Sequence, residues 1–351
     1  MDFVYTARPG RVIFGRGARN RTVDELDRLG LKNVIVITTA DQSATAGEFA
    51  AKIEGRAGIV YPGAAQHTPT TVTESAMQAV QSVSADGCLA IGGGSTIGLS
   101  KAIALRTDLP QVVVPTTFAG SEMTAILGQT EAGKKTTLTD PKVLPETVIY
   151  DPDLLDTLPM HIAGPSALNA IAHSVEALYA QETNPIISMM AEESIRALGA
   201  AVPVFTSGQG DVAGAYEQGL YGAWLAGTCL GSVGMAIHHK ICHTLGGTFD
   251  LNHADIHCLM LPYSAAYNRE AAPGAMAAVA RALDTDDGPA GLYGLTLSAA
   301  RFKSLKDFGL TEPDLDKAAD LAVQNPYYNP RPVSRDGVRE MLQAAWEGRK
   351  P

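Results

Sequence analysis

Over the first 150 residues, short apolar runs alternate with alanine-rich stretches whose apolar positions recur at helical spacing. The runs are Val34–Ile37 (VIVI), Cys88–Ile91 (CLAI), Gln111–Val114 (QVVV) and Thr147–Tyr150 (TVIY). Ala44–Glu54, Thr71–Ser84 and Thr96–Leu105 read as helices between them. A strand with one wet face alternates apolar and polar residues, whereas a continuous apolar run is dry on both faces. The pattern therefore predicts a parallel sheet covered by helices on both sides. After about Asp151 strand-like runs become scarce. Long Ala/Leu/Met-rich segments follow: Ala163–Gln181, Pro185–Ala200, Ala213–Leu230, Val233–Leu245, Leu259–Asn268 and Ala275–Leu283. Gly, Pro, Asn or Asp breaks separate them. The expected fold class is α/β plus all-α: an α/β domain over 1–154 and a helical domain over 155–351, with Asp151–Pro159 (DPDLLDTLP) as the crossover.

Composition agrees with this division. A chain of 351 residues exceeds one ordinary core, so two domains are expected. Hydrophobic residues make up 46% and charged residues 18%, as in globular proteins, and no apolar run is long enough to span a bilayer. No membrane partner is expected. A net charge of −10 argues against nucleic acid as a partner. It also means that an anionic ligand must meet locally concentrated positive charge. Cys88, Cys229, Cys242 and Cys258 show no CxxC spacing, so neither a disulfide framework nor a thiolate zinc site is expected. The opening MDFVYTARPGRVIFGRG lacks a basic segment followed by an apolar one, and a cytoplasmic location is expected.

The stretch CLAIGGGSTIGLSKAIAL (Cys88–Leu105) reads as strand, glycine turn and helix. Gly92, Gly93 and Gly94 let the backbone approach a ligand closely, and Ser95 opens a helix whose free N–H groups and dipole favour an anion. The next loop, VVVPTTFAGSEMT (Val112–Thr124), offers Thr116, Thr117 and Ser121. Adjacent polar loops at strand C-termini suit a dinucleotide in a Rossmann-like domain. The first strand ends in Thr38 and Thr39, where a carboxylate would grip a ribose 2′-OH and repel a 2′-phosphate. Neutral threonines do neither strongly, so NADH or NADPH is the expected cofactor.

Of eight histidines, five fall between His238 and His257. Asn169, His173 and Glu176 lie at i, i+4 and i+7, one polar stripe on an otherwise apolar helix. His239 and His243 repeat the i, i+4 spacing, with Gly246 and Gly247 expected to end their helix. His253 and His257 repeat it again. Facing stripes of this kind are how helical bundles build metal or catalytic sites. His161, His238 and His257 are the ones expected to be hydrogen-bonded structural residues.

The order GGGS, TT…GSE, N/D-xxx-H, H-xxx-H-xx-G, then a histidine ten residues on and LP, resembles the iron-containing alcohol dehydrogenase family, from about Phe14 to Asn268. The resemblance implies a cleft active site between the two domains, metal ligands at Asn169, His173, His239 and His253, and His243 near nicotinamide and substrate. It also implies a homodimer. Two positions depart from the family. Asn169 stands where aspartate is usual, and Gly98 replaces the acidic residue after GGGS. Losing the carboxylate leaves a divalent ion among neutral ligands, which weakens binding. A site that works with no metal is therefore expected.

These departures, with PTTFAGSEMT, KICHTLGG and NPRPV (Asn329–Val333), resemble the maleylacetate reductase branch. That branch implies NAD(P)H-dependent reduction of the conjugated C=C bond of maleylacetate, a small dicarboxylate, to 3-oxoadipate. Hydride adds to the alkene carbon β to the ketone and charge develops on the enolate oxygen. The expected roles are His243 as proton donor, His173, His239 and His253 as hydrogen-bond donors, and Asn169 as the orienting amide. Arg331 and Lys240 are candidates to grip the carboxylates and Phe118 to contact substrate; Lys101, Lys134 and Lys135 are alternative cations. Competing readings are a metal-dependent alcohol or polyol dehydrogenase, a lyase like dehydroquinate synthase, and a non-catalytic nucleotide-binding protein.

Overall fold

The computed structural model describes residues 3–7, 10–156 and 158–351, with the side chains of 134 and 135 outside the description. Its contacts divide the chain into two units, Arg8–Leu158 and Pro159–Pro351, with residues 3–7 grouped with the second.

The first unit is built on six parallel strands. They are β1 (Arg11–Phe14), β2 (Val34–Ile37), β3 (Ala57–Tyr61), β4 (Gly87–Gly92), β5 (Gln111–Pro115) and, after the hairpin β6 (Ile126–Glu131) and β7 (Lys134–Thr139), β8 (Thr147–Tyr150). Four helices accompany them: α1 (Thr22–Arg28), α2 (Ser43–Lys52), α3 (Thr70–Ser82) and α4 (Gly94–Thr107). The strand order is β1-β8-β5-β4-β2-β3. Side-chain alternation explains the continuous apolar runs. Val34 and Val36 pack with Leu26, Ala46 and Phe49 on one face of the sheet. Ile35 and Ile37 pack with Ala76, Val80, Leu99 and Ile103 on the other. Each such buried aliphatic side chain stabilises the fold by roughly 1.5–3 kcal/mol.

The edge strands are less deeply buried. β1 (RVIF) and β3 (AGIVY) are only partly buried, and the sequence reading passed over both short runs although they are largely apolar. The β6–β7 hairpin is polar; it turns through Ala132 and Gly133, both at positive φ, as a two-residue turn requires.

The second unit is all-helical, as expected. It contains α5 (Met160–Ala177), α6 (Pro185–Ser207), α7 (Val212–Ser232), α8 (Ile237–Phe249), α9 (His253–Tyr267), α10 (Pro273–Leu283), α11 (Gly288–Ala299), α12 (Glu312–Ala322) and α13 (Arg335–Glu347). The last three are absent from the sequence reading; α12 and α13 are rich in charged residues, although Leu315, Ala318, Ala319 and Ala322, and Val338, Met341, Leu342 and Ala345, form buried stripes at helical spacing. Residues 163–177 of α5 are buried throughout, with α6, α7 and α9 packed around them. Gly246 and Gly247 do not end α8, contrary to expectation: the helix runs on to Phe249 and stops at Asp250, which is left-handed at φ 53°. The buried face of Ile241, Cys242 and Leu245 outweighs the small helical penalty of two glycines. Among the described residues no single helix is long and apolar enough to cross a membrane; α7 and α8 pass that test only together, across a 95° bend.

Candidate active site

The first unit holds the glycine turn. In the sheet order, β2 continues outward to β3 while β4 returns on its other side, so the topological switch point lies between β2 and β4. Ligands of doubly wound sheets bind beyond the strand C-termini at that point. Gly92 ends β4 at φ +154°, a conformation that favours glycine, and a Cβ there would meet the Thr96 hydroxyl. Gly93 is the N-cap of α4, and a Cβ on it would lie 2.9 Å from Thr117 Oγ1. Gly94 is exposed and Ser95 half-buried at this helix N-terminus. The neighbouring loop is tied in: the Thr116 amide donates to Gly92 O at 3.2 Å, and Gln42 Nε2 donates to Thr116 Oγ1 at 3.0 Å. Thr38 is fully buried with its hydroxyl donating to Ile91 O at 3.0 Å, whereas Thr39 is half-buried at the crevice. Thr117 and Ser121 are half-buried in the same loop, and Phe118 is fully buried.

Gly98 has a physical explanation. The Thr68 hydroxyl occupies the space that a side chain at 98 would need, so the acidic residue usual there has no room.

The second unit gathers the histidine stripes. α5 supplies Asn169, His173 and Glu176; α8 supplies His238, His239 and His243; α9 supplies His253 and His257. Ring centroids lie 5.1 Å apart for His173–His239, 5.8 Å for His239–His243, 6.1 Å for His243–His253 and 4.2 Å for His253–His257. Exposure grades across the group. His243 is exposed and His253 half-buried; Asn169, His173 and His239 are buried at 6%, 3% and 4% exposure. His238 and His257 are fully enclosed, 3.0 Å apart between Nε2 and Nδ1, and His238 Nδ1 meets Ser264 Oγ at 2.9 Å. His161 is exposed at the start of α5. Burial drives the pKa of His173, His238 and His257 well below the ordinary imidazole range, with the neighbouring imidazoles adding to the shift. These three are therefore neutral at pH 7.

Glu176 organises the group, and the sequence reading assigned it no role. Its fully buried carboxylate accepts from the Ala236 amide at 2.8 Å and the His238 amide at 2.6 Å, capping α8. It also accepts from His239 Nδ1 at 2.6 Å. An ionised carboxylate can only accept, so His239 carries its proton on Nδ1 and aims Nε2 elsewhere. The stripe Asn169-His173-Glu176 was the available signal; the partner, more than fifty residues downstream, was not.

The expectations of a metal-free site and of no thiolate ligand are corrected. His238, Cys242 and His257, all buried, bring one ligand atom each to within 4.8 Å of the others, a group able to hold a metal ion. Imidazole and thiolate donors suit a borderline ion such as zinc. In addition, Asn169 Oδ1, His173 Nδ1, His239 Nε2 and His257 Nε2 are buried without a hydrogen-bond partner, and such atoms call for a ligand, ion or water. Asn169 weakens one position in the cluster, and that alone does not remove its capacity for a metal. Cys242 escaped notice because its partners come from helical stacking and a second helix, not from CxxC spacing.

A strap over residues 324–334 closes one side of this region. Lys240 Nζ donates to Gln324 O at 2.7 Å and lies 5.8 Å from the Tyr327 ring centroid. Tyr327 Oη is 3.4 Å from His243 Nδ1, a contact the sequence did not suggest. Arg331 stacks 4.1 Å over Tyr267 and donates to its carbonyl at 3.3 Å. Asn329 and Asn268 exchange amide hydrogen bonds of 2.7 and 2.9 Å. Lys240, His243, Thr244, Thr248 and Gln324 line an open cavity of about 300 Å³. A larger cavity of about 580 Å³, lined by Gly199, Pro203, Leu283 and Leu295, holds none of the histidines. The side chains of Lys134 and Lys135 lie outside the described residues.

Comparison with known proteins agrees with both units. Residues 9–152 match the iron-containing alcohol dehydrogenase family, and residues 164–346 match the C-terminal part of the Fe-containing alcohol dehydrogenase family. The chain is 49% identical over 349 residues to the maleylacetate reductase of Rhizobium sp. (strain MTP-10005), covering 99% of each. It is 48% identical over 351 residues to the maleylacetate reductase of Sphingobium indicum, covering 100% of this chain and 99% of the relative. The crystal structure of maleylacetate reductase from Agrobacterium tumefaciens matches with a TM-score of 0.96 at 48% identity, covering 100% of both chains.

Proposed function

The chain belongs to the iron-containing alcohol dehydrogenase family, and from that premise we propose that it is an enzyme that reduces maleylacetate to 3-oxoadipate with NADH or NADPH. The substrate rests on near-half identity along the whole chain with proteins of that activity. The chemistry rests on one observation: imidazoles that grade from the exposed His243 to the buried, carboxylate-held His239.

Hydride from the reduced nicotinamide adds to the alkene carbon β to the ketone, and the electron pair of the C=C bond moves toward the ketone oxygen. The product needs one proton at the α-carbon. His243 is exposed and can recover that proton from solvent, so it is assigned as the donor. His239 donates its Nδ1–H to the Glu176 carboxylate, which fixes the ring and leaves the buried Nε2 as the atom that meets the ligand. His173 is a neutral donor beside it, His253 a further donor, and Asn169 orients His173 or a substrate oxygen. A metal held by His238, Cys242 and His257 would add Lewis-acid stabilisation of the same charge.

Gly92, Gly93, Gly94 and Ser95 are assigned to the coenzyme phosphates, with Thr39, Thr116, Thr117 and Ser121 around them and the enclosed Thr38 holding the strand end through Ile91 O. With no carboxylate at Thr39, both coenzymes are expected to serve. Lys240 and Arg331 are assigned to the substrate carboxylates, whereas the fully enclosed Phe118 presents no surface to a ligand. The four cysteines are buried and unbridged, which supports a cytoplasmic setting, and a homodimer is the proposed assembly.

The deciding experiment adds freshly generated maleylacetate to enzyme and NADH. Equimolar coenzyme oxidation and 3-oxoadipate formation are expected. A protein that instead oxidises simple alcohols with NAD⁺ after metal loading fits a second reading, a metal-dependent alcohol dehydrogenase, which the His238–Cys242–His257 group favours.

A further inference from the structure

Lys101 is fully buried in the third turn of α4, the helix whose N-terminus follows the glycine turn. A buried lysine is costly unless its ammonium is fully partnered. Here Nζ donates to Ser121 O at 2.6 Å, Thr124 O at 2.8 Å, Thr124 Oγ1 at 2.9 Å and Ile126 O at 2.9 Å. Every one of these acceptors belongs to the segment that carries the chain from β5 into β6. The Thr124 hydroxyl in turn donates to Ser121 O at 3.0 Å and accepts from the Ile126 amide at 3.3 Å. Three carbonyls of one short segment thus point inward at a single cation, while the opposite side of that loop presents Thr116 and Thr117 to the glycine turn.

The surroundings offset part of the cost of burying a cation here. Glu122, buried at 1% exposure, accepts from Tyr150 Oη at 2.7 Å and attracts Lys101 electrostatically. Burial pulls the lysine pKa down to about 7, and Glu122 opposes that shift. A neutral amine has two donors for four acceptors; the ammonium has three, in the geometry observed. Lys101 is therefore not available to grip a substrate carboxylate.

We infer that Lys101 is a positioning residue for coenzyme binding: its ammonium winds the Thr116–Ile126 loop around itself and so sets that loop against the glycine turn. One rigid helix then carries both halves of the device, anion-binding amides at its start and the loop-shaping cation in its third turn. The inference rests on the proposed coenzyme role of this crevice, and not on the identity of the substrate.

The test measures NADH affinity by fluorescence titration, with steady-state kinetics alongside, for the parent protein, Lys101→Ala and Thr124→Val. Lys101→Ala should weaken NADH binding by about tenfold or more, the scale of a lost charge-assisted hydrogen bond. The KM for NADH should rise with it, while kcat at saturating coenzyme falls much less. Propylammonium, which replaces the missing stem and donors, should restore part of the affinity; tetramethylammonium, which cannot donate, should not. Thr124→Val removes one acceptor, keeps the shape, and should shift affinity in the same direction by less. It reports on the loop even if Lys101→Ala fails to fold. Unchanged NADH affinity in the folded variants overturns the inference. A parent protein that binds no NADH overturns the coenzyme reading itself, whereas one that binds NADH but leaves maleylacetate untouched overturns only the substrate.

Discussion

The coenzyme crevice and the histidine cluster solve their problems with different parts of the chain. In the crevice, backbone does the binding: Gly92 and Gly93 clear space, and the N-terminus of α4 offers amides. The nearby side chains mostly hold the backbone in place, as Thr38 does through Ile91 O and Lys101 through the 121–126 carbonyls. In the cluster the relation is reversed. Helices α5, α8 and α9 are rigid supports, and the chemistry lies in which imidazole nitrogen is exposed, held or enclosed. Substitutions in the crevice should therefore move coenzyme affinity, and substitutions in the cluster should move kcat.

The largest effect is expected for His243→Ala. Loss of the proton donor should lower kcat by about a hundredfold or more while NADH affinity stays near the parent value. A kcat within a few-fold of the parent would move the donor elsewhere, and Tyr327, 3.4 Å from His243 Nδ1, is then the first alternative. Next is Glu176→Gln. The amide keeps the shape but cannot accept from the α8 amides and His239 together, so kcat should fall by roughly ten- to a hundredfold, the usual scale for an orienting carboxylate. Equal loss in NADH affinity would blur the division between the regions.

Gly93→Ala tests the other side. Its Cβ would lie 2.9 Å from Thr117, and overpacking costs about 1–3 kcal/mol, so NADH binding should weaken by about tenfold with kcat largely kept. The smallest effect is expected for Thr38→Val. Losing the bond to Ile91 O should cost about 1 kcal/mol of stability, seen in denaturant titration, and leave the NADH to NADPH ratio unchanged. A shift in that ratio would mean that the Thr38 hydroxyl reaches the coenzyme.

Legibility in the sequence followed locality. The strands β2, β4, β5 and β8 were visible because burial on both faces leaves a continuous apolar run. β1 and β3 were passed over although RVIF and AGIVY are largely apolar; both lie at the half-buried edges of the sheet. The i, i+4 pairs His239–His243 and His253–His257 were visible because a helix makes neighbours of residues one turn apart. Expecting Gly246 and Gly247 to stop α8 overrated local propensity against a buried face.

What the sequence by itself determined is therefore what the chain does over a few residues: the glycine turn into α4, the polar stripe Asn169-His173-Glu176, the helical second half and the family to which these belong. Only the tertiary structure decided how residues from three helices sort themselves. It gave Glu176 its two tasks, on the α8 amides and on His239. It turned Lys101 inward, filled the place of an acidic side chain at Gly98 with Thr68, and set His257 of α9 beside the His238–Cys242 turn of α8. The physical reason is that burial and hydrogen-bond direction depend on groups brought together across long stretches of chain, and no local spacing encodes them.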